Sequence, residues 1–139
     1  MGLLSKLFGK KRSLKEDIVV ASEWIVTALQ SSGYNADYSL ESMKEIDRFF
    51  DEQNTPSGIL SQNRGRIIFA LGAYIGQTAI KLFGGEWIVE DKARNAEINI
   101  AVCLADGSTI YPVIKCMKRY QSGAEEGIYA YLALLSTKK

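Results

Sequence analysis

The sequence predicts an α+β domain in which N-terminal helices and a central buried helix pack on a small antiparallel sheet of about three strands, followed by C-terminal helices. Three observations lead there. From Arg66 to Lys81 no charged residue intervenes, so a helix over this stretch is apolar or small on nearly every side and has to lie inside the protein. From Ala96 to Leu104 the apolar period changes from 3.6 to 2, with Ala96, Ile98, Ile100, Val102 and Leu104 pointing one way and Glu97, Asn99, Ala101 and Cys103 the other, as in a half-buried antiparallel strand. The flanking segments carry apolar residues at helical spacing behind cap-like starts.

Residues 1–12, MGLLSKLFGKKR, form a basic amphipathic tail: Leu3, Leu4, Leu7 and Phe8 share one helical face ahead of Lys10, Lys11 and Arg12. The tail lacks the long apolar core of a signal peptide, and Lys6 occupies the place where a myristoylation pattern needs Ser or Thr. It reads either as a frayed terminus or as a weak contact for an anionic membrane surface or a partner groove. Residues 13–139 read as a single domain. Ser13 and Glu16 have the form of a capping box, and Ile18, Ala21, Ile25 and Leu29 then recur on one face until Gly33. Ser39 is a cap for a second helix with Leu40, Met43, Ile46 or Asp47, and Phe50 inward. Its other face is acidic, with Asp37, Glu41, Glu45, Asp47, Asp51 and Glu52 against Lys44 and Arg48.

Thr55 and Pro56 restart the chain as a short helical turn reaching about Gln62. The buried helix follows, with Gly72 and Gly76 four apart as a smooth stripe that another backbone can approach. Gly84-Gly85 stop it, and Glu86 to Asp91 reads as a strand. Asp106-Gly107 is a hairpin signal; a two-residue turn there sets Leu104 opposite Thr109, Val102 opposite Tyr111 and Ala101 opposite Pro112. Pro112 opens a helix with Val113, Ile114, Met117 and Tyr120 inside and Lys115, Lys118 and Arg119 outside. Ser122 to Glu125 is a second capping-box pattern, ahead of a terminal helix with Ile128, Tyr131, Leu132 and Leu135.

Four stretches, LGAYIGQ at 71–77, GGEW at 84–87, SLESMKEIDRFF at 39–50 and YPVIKCMKRYQSG at 111–123, resemble a family of small bacterial cytoplasmic proteins known only as a domain of unknown function. The resemblance implies an α+β domain and lends no catalytic residues. The family more often carries a glutamate where this chain has Gln77.

For function, composition mostly excludes. The 139 residues are 47% hydrophobic and 24% charged, which suits one core. Lys6, Lys10, Lys11 and Arg12 carry four positive charges, so the rest of the chain is net −3 within a total of +1, and no basic stripe interleaved with aromatics points to nucleic acid. The chain has no histidine, which removes the usual triads and the commonest metal ligand. Cys103 and Cys116 fit no metal spacing and read as buried thiols of a reduced, cytoplasmic protein. The glycines match neither phosphate-loop pattern. No cofactor, metal or catalytic residue is expected, and the tail leaves room for a peripheral membrane contact. Glu86, Glu90 and Asp91 suit a solvent-facing edge better than an acid/base pair.

Three readings of different kinds follow. The first is a non-catalytic protein-interaction module of the immunity or adaptor type, its surface formed by Glu41, Glu45 and Glu52 or by Lys115, Lys118 and Arg119. The second is a small-ligand domain with a pocket between the buried helix and the sheet, walled by Tyr74, Trp87 and Tyr111. The third is an enzyme without histidine.

Overall fold

The computed structural model describes residues 12–137. The order of elements is α1 (Leu14–Ser31), α2 (Ser42–Gln53), α3 (Ile59–Gln62), α4 (Arg64–Phe83), β1 (Gly85–Ile88), β2 (Ala101–Leu104), β3 (Thr109–Ile110), α5 (Pro112–Ser122), a 3-10 turn (Gly123–Glu126) and α6 (Ile128–Ser136). The architecture is the expected α+β arrangement, helices around a three-stranded antiparallel sheet of order β1-β2-β3. The buried apolar residues form one cluster, to which every helix contributes.

α4 is the axis of that cluster. α1, α5 and the sheet all pack against it, and Leu71, Ala73, Tyr74 and Ile75 are fully enclosed. Its 20 residues and mean hydropathy of 1.2 reach the length and composition of a short membrane span, yet most of its surface is covered by the rest of the fold. The glycine stripe acts as anticipated. A Cβ on Gly72 would lie 2.6 Å from Cγ2 of Val113 in α5, and a Cβ on Gly76 would enter the indole ring of Trp87 in β1. Close approach of a helix on one side and an aromatic ring on the other therefore depends on two missing side chains. Gly84 and Gly85, at φ 76° and 144°, turn the chain out of the helix into β1.

At the N-terminus of α1 the capping box is complete: the Glu16 N–H donates to Ser13 Oγ (3.2 Å) and the Ser13 N–H to Glu16 Oε1 (2.8 Å). Asp91 adds a third acceptor, taking the Leu14 N–H at 2.7 Å. The other caps differ from expectation. α2 begins only at Ser42, because residues 39–44 first make three-residue turns, in which Ser39 Oγ accepts the Ser42 N–H at 3.1 Å. Pro56 lies in the turn ahead of α3 instead of starting the helix. The Ser122–Glu125 pattern forms no capping box. It becomes the 3-10 turn, and α6 starts at Ile128 behind Gly127 with no cap of its own. Its first N–H groups donate instead to Asp47 of α2, Ile128 to Oδ1 at 2.9 Å and Tyr129 to Oδ2 at 3.0 Å.

The sheet is shorter than the alternation implied. β1 ends at Ile88 and only Ala101–Leu104 of the alternating run pairs as a strand. Residues 91–99 turn on themselves, with Asn95 at φ 58° and its carbonyl accepting from the Ile98 and Asn99 N–H groups and from Asn99 Nδ2. Asparagine offers the backbone this local alternative to a ladder, and it tolerates positive φ. The hairpin has a three-residue loop, Ala105 to Gly107. The Leu104 N–H bonds Ser108 O (2.8 Å), Asp106 Oδ1 takes the Ser108 N–H (2.8 Å), and Gly107 adopts φ 92°. This shifts the register by one from the two-residue expectation, so Cys103 faces Thr109 and Ile110, not Tyr111, faces Val102. Ile110 is buried and Tyr111 is left 46% exposed.

Candidate functional site

The acidic face of α2 is satisfied from within the fold. Arg48 pairs with Glu45 (3.0 Å) and Glu52 (3.2 Å), donates to Gly33 O (3.0 Å) and lies 4.3 Å over the Tyr34 ring. Lys44 pairs with Glu41 at 3.1 Å, and the Tyr34 hydroxyl donates to Glu52 at 2.6 Å. The hydrogen bond from Arg48 holds the Glu45 carboxyl below its ordinary range. Asp47 and Asp51 face Arg119, at 2.9 and 2.7 Å.

That pairing corrects the reading of Arg119 as an outward-facing member of a basic patch. Its side chain is only 4% exposed, trapped between α5 and α2, because two carboxylates and the Asp47 carbonyl (3.1 Å) together satisfy a guanidinium that a helical wheel alone would turn to water. Lys115 is also engaged, bonded to Glu126 at 2.8 Å and lying 4.9 Å over the Tyr131 ring. Lys118 remains exposed.

The proposed aromatic pocket does not assemble. Tyr74 is enclosed, its hydroxyl bonded to Ser42 Oγ (2.6 Å) and accepting the Tyr38 N–H (2.9 Å), and burial pushes its phenol above the ordinary value. Trp87 lies over Gly76 and donates its indole N–H to Gln77 Oε1 at 2.8 Å, so Gln77 serves as an acceptor for a ring. Tyr111 is exposed just ahead of α5. None of these three lines any of the clefts described next.

The open space gathers instead on the N-terminal half of α4. One cleft of about 330 Å³ lies between α4 and α5, lined by Ile68, Phe69, Val113, Met117 and Tyr120. A second, of about 470 Å³, lies between α4 and α1 and is lined by Val20, Ala21, Trp24, Phe69 and Ala70. Gly65, Phe69 and Glu97 line both, so the two clefts adjoin across α4 as the two halves of a groove. Gly65 makes the crossing low: a Cβ there would meet nothing within 4 Å. A third cleft, of about 510 Å³, continues past Arg12, Asp17 and Glu97 to Glu16, Asp91 and Lys92 at the start of α1.

Two arginines flank the crossing. Arg64 donates to the Tyr120 hydroxyl at 2.9 Å and lies 5.1 Å over that ring; Arg66 lies 4.3 Å over the Trp24 ring. Both are exposed, and neither makes an ion pair among the described residues. At the α1 end the charge reverses. Burial pushes the Asp17 carboxyl up against the opposing pull of Arg12, its partner at 3.1 Å. The groove thus has an apolar floor, two guanidinium forks held by aromatic rings on one rim and carboxylates at one end.

No family model, curated protein or solved structure matches this chain. The chemistry of the groove therefore has to be read from its own residues. Among the described residues no three Cys, Asp or Glu side chains gather as metal ligands. Cys116 is buried, which raises its thiol pKa, and Cys103 is half-buried in β2. Leu3, Leu4, Leu7, Phe8, Lys10 and Lys11 lie outside the described residues; Arg12 is the first of the tail within them. Sequence reasoning missed the groove because Trp24 and Phe69 have the spacing of core residues. The signal was Arg64-Gly65-Arg66, two cations with no acid at helical spacing around a residue without a side chain.

Proposed function

We propose that this protein is a non-catalytic interaction module, in the cytoplasm, that holds an apolar segment of another protein, flanked by carboxylates, in the groove across α4. The observation that carries the reading is the pair Arg64 and Arg66, which make no ion pair among the described residues and are held by Tyr120 and Trp24 beside an apolar floor. Trp, Tyr and Arg are the residues that dominate binding energy at interfaces, and a guanidinium already ordered on a ring loses little entropy on meeting a carboxylate. The open form of the groove, continuous over two helix boundaries, suits a length of chain better than a small enclosed ligand. The acidic α2 face is the weaker surface, since its carboxylates already have cations.

Selection of displayed random peptides on the purified protein tests this. The expected outcome is enrichment of sequences with two or three apolar anchors next to Asp or Glu. Their affinity falls by about tenfold or more in the Arg64→Glu/Arg66→Glu variant, since losing a charge-assisted contact costs roughly 1.5–3 kcal/mol. Glu41→Lys/Glu45→Lys/Glu52→Lys leaves it unchanged. Peptides that ignore the arginine pair and are lost with the α2 variant would move the site to α2.

A further inference from the structure

We propose that Glu97 reads a lysine or arginine on the segment bound in the groove, so that the partner is recognised by an acid at one end of its apolar anchors and a base at the other; this deepens the groove reading and rests on it. The placement of Glu97 is the first argument. It lines both halves of the groove and the adjoining cleft at the start of α1, and no other residue lines all three. Its side chain is exposed and makes no ion pair among the described residues. The other acids of that cleft are engaged: Asp17 pairs with Arg12 at 3.1 Å, while Asp91 and Glu16 accept N–H groups at the start of α1. The turn that carries Glu97 is held on both sides, because the Asn95 carbonyl accepts from the Ile98 and Asn99 N–H groups and from Asn99 Nδ2.

The polarity of the groove is the second argument. Along its α1 half, Arg66 lies over Trp24 at one end, and Asp17 stands seven residues earlier, about 10 Å of helix away. Glu97 lines the cleft at the start of α1 together with Asp17, so Arg66 and Glu97 stand at opposite ends of this half. Between them lie Val20, Ala21, Phe69 and Ala70, with Val20 40% exposed. A bound segment that sets a carboxylate against Arg66 therefore brings another side chain to Glu97 about three residues away if it is extended, or about seven if it is helical. A second acid there meets like charge and is rejected, whereas a base is matched. Glu97 thereby separates segments that carry one acid from segments that are acidic throughout, a distinction that two arginines alone do not make.

The test selects displayed random peptides on the full chain in parallel with its Glu97→Gln and Glu97→Lys variants, which change one exposed side chain. The parent should enrich peptides with an acid, apolar anchors and a base, at one dominant spacing of acid from base. Affinity for such a peptide should fall about threefold in Glu97→Gln and on the order of tenfold in Glu97→Lys. Changing the base of the peptide to Glu should recover binding to Glu97→Lys and weaken binding to the parent. Enriched peptides that carry no base, bind the parent and Glu97→Lys equally and are still weakened by Arg64→Glu/Arg66→Glu would overturn the role of Glu97 and leave the groove reading standing. A loss in Glu97→Lys that the altered peptide does not recover would mean that Glu97 acts through the shape of its turn, and would also overturn the proposal. No enrichment, or peptides insensitive to both the Glu97 and the arginine changes, would overturn the groove reading and the role of Glu97 with it.

Discussion

The outer face of α2 and the rim of the groove are both crowded with charge, and they differ in what the charges touch. On α2 each carboxylate has a cation within 3.2 Å, and one of those cations, Arg119, is buried to reach two of them. On the groove rim Arg64 and Arg66 rest on aromatic rings, and among the described residues neither has a carboxylate partner. The lesson is that a run of like charge along a helix is a poor guide to a free surface. A cation without an acid partner, held in place by a ring, is a better one.

The sharpest way to break the contrast is to unpair the buried end of α2. Arg119→Leu takes the cation from Asp47 and Asp51 and removes the link between α5 and α2; with both carboxylates partly exposed and Asp47 still accepting two N–H groups, the loss is about 1.5–3 kcal/mol, below that of a fully buried pair. Urea unfolding should show that loss, with Lys118→Leu nearly silent. A midpoint unchanged in Arg119→Leu would return the α2 carboxylates to the status of solvated charges.

Next come two glycines of the same helix. Gly72→Leu drives a side chain into Val113 and should cost about 1–3 kcal/mol by overpacking. Gly65→Leu meets open space, gains up to about 1 kcal/mol of helix propensity and fills the groove. The second variant should therefore unfold no earlier than the parent and bind selected peptide poorly. If both lose stability alike, the crossing is closed in solution.

The smallest effect is on pH. The Ser39 hydroxyl and N–H hold the Asp37 carboxyl below its ordinary 3.8, and Arg48 holds Glu45 below 4.5. The unfolded chain takes up these protons first, so the stability these groups contribute is present above those values and is lost as the pH falls below them. Asp17 in the groove runs the other way: its carboxyl is raised, the folded state binds the proton more readily, and acid favours it. Comparing urea midpoints at about pH 6 and about pH 3, Asp37→Asn should flatten the acid loss and Asp17→Asn should steepen it. The opposite order would overturn the assignment of the two environments.

Much of the fold was legible where its cause is local. The uncharged run to Lys81, the Ser13 capping box and the exit at Gly84-Gly85 all act within a few residues. The failures share a different cause. The alternation from Ala96 to Ile100 imitates a strand, yet Asn95 and Asn99 bond locally and only the last four residues of the run find a partner. The hairpin register turned on one side-chain bond from Asp106. Arg119 and Asp47 are 72 residues apart, and no periodicity announces that pair. The groove was invisible for the same reason: it is made where α1, α4, α5 and the 91–99 turn diverge, a property of their packing and not of any one stretch.

Asp47 has an effect on the order in which the chain assembles. Among the described residues the leading amides of α6, Ile128 and Tyr129, have one acceptor, a carboxylate 81 residues before Ile128, so as a fragment the helix lacks the start signal that α1 carries in Ser13. Its formation waits on α2 being docked and on Arg119 being in place to hold the carboxylate. In the transition state for folding α6 should accordingly be the laggard, and in the native state the first element to open. Exchange of the Ile128 and Tyr129 amide protons would then time the motions of α2, a helix to which neither residue belongs.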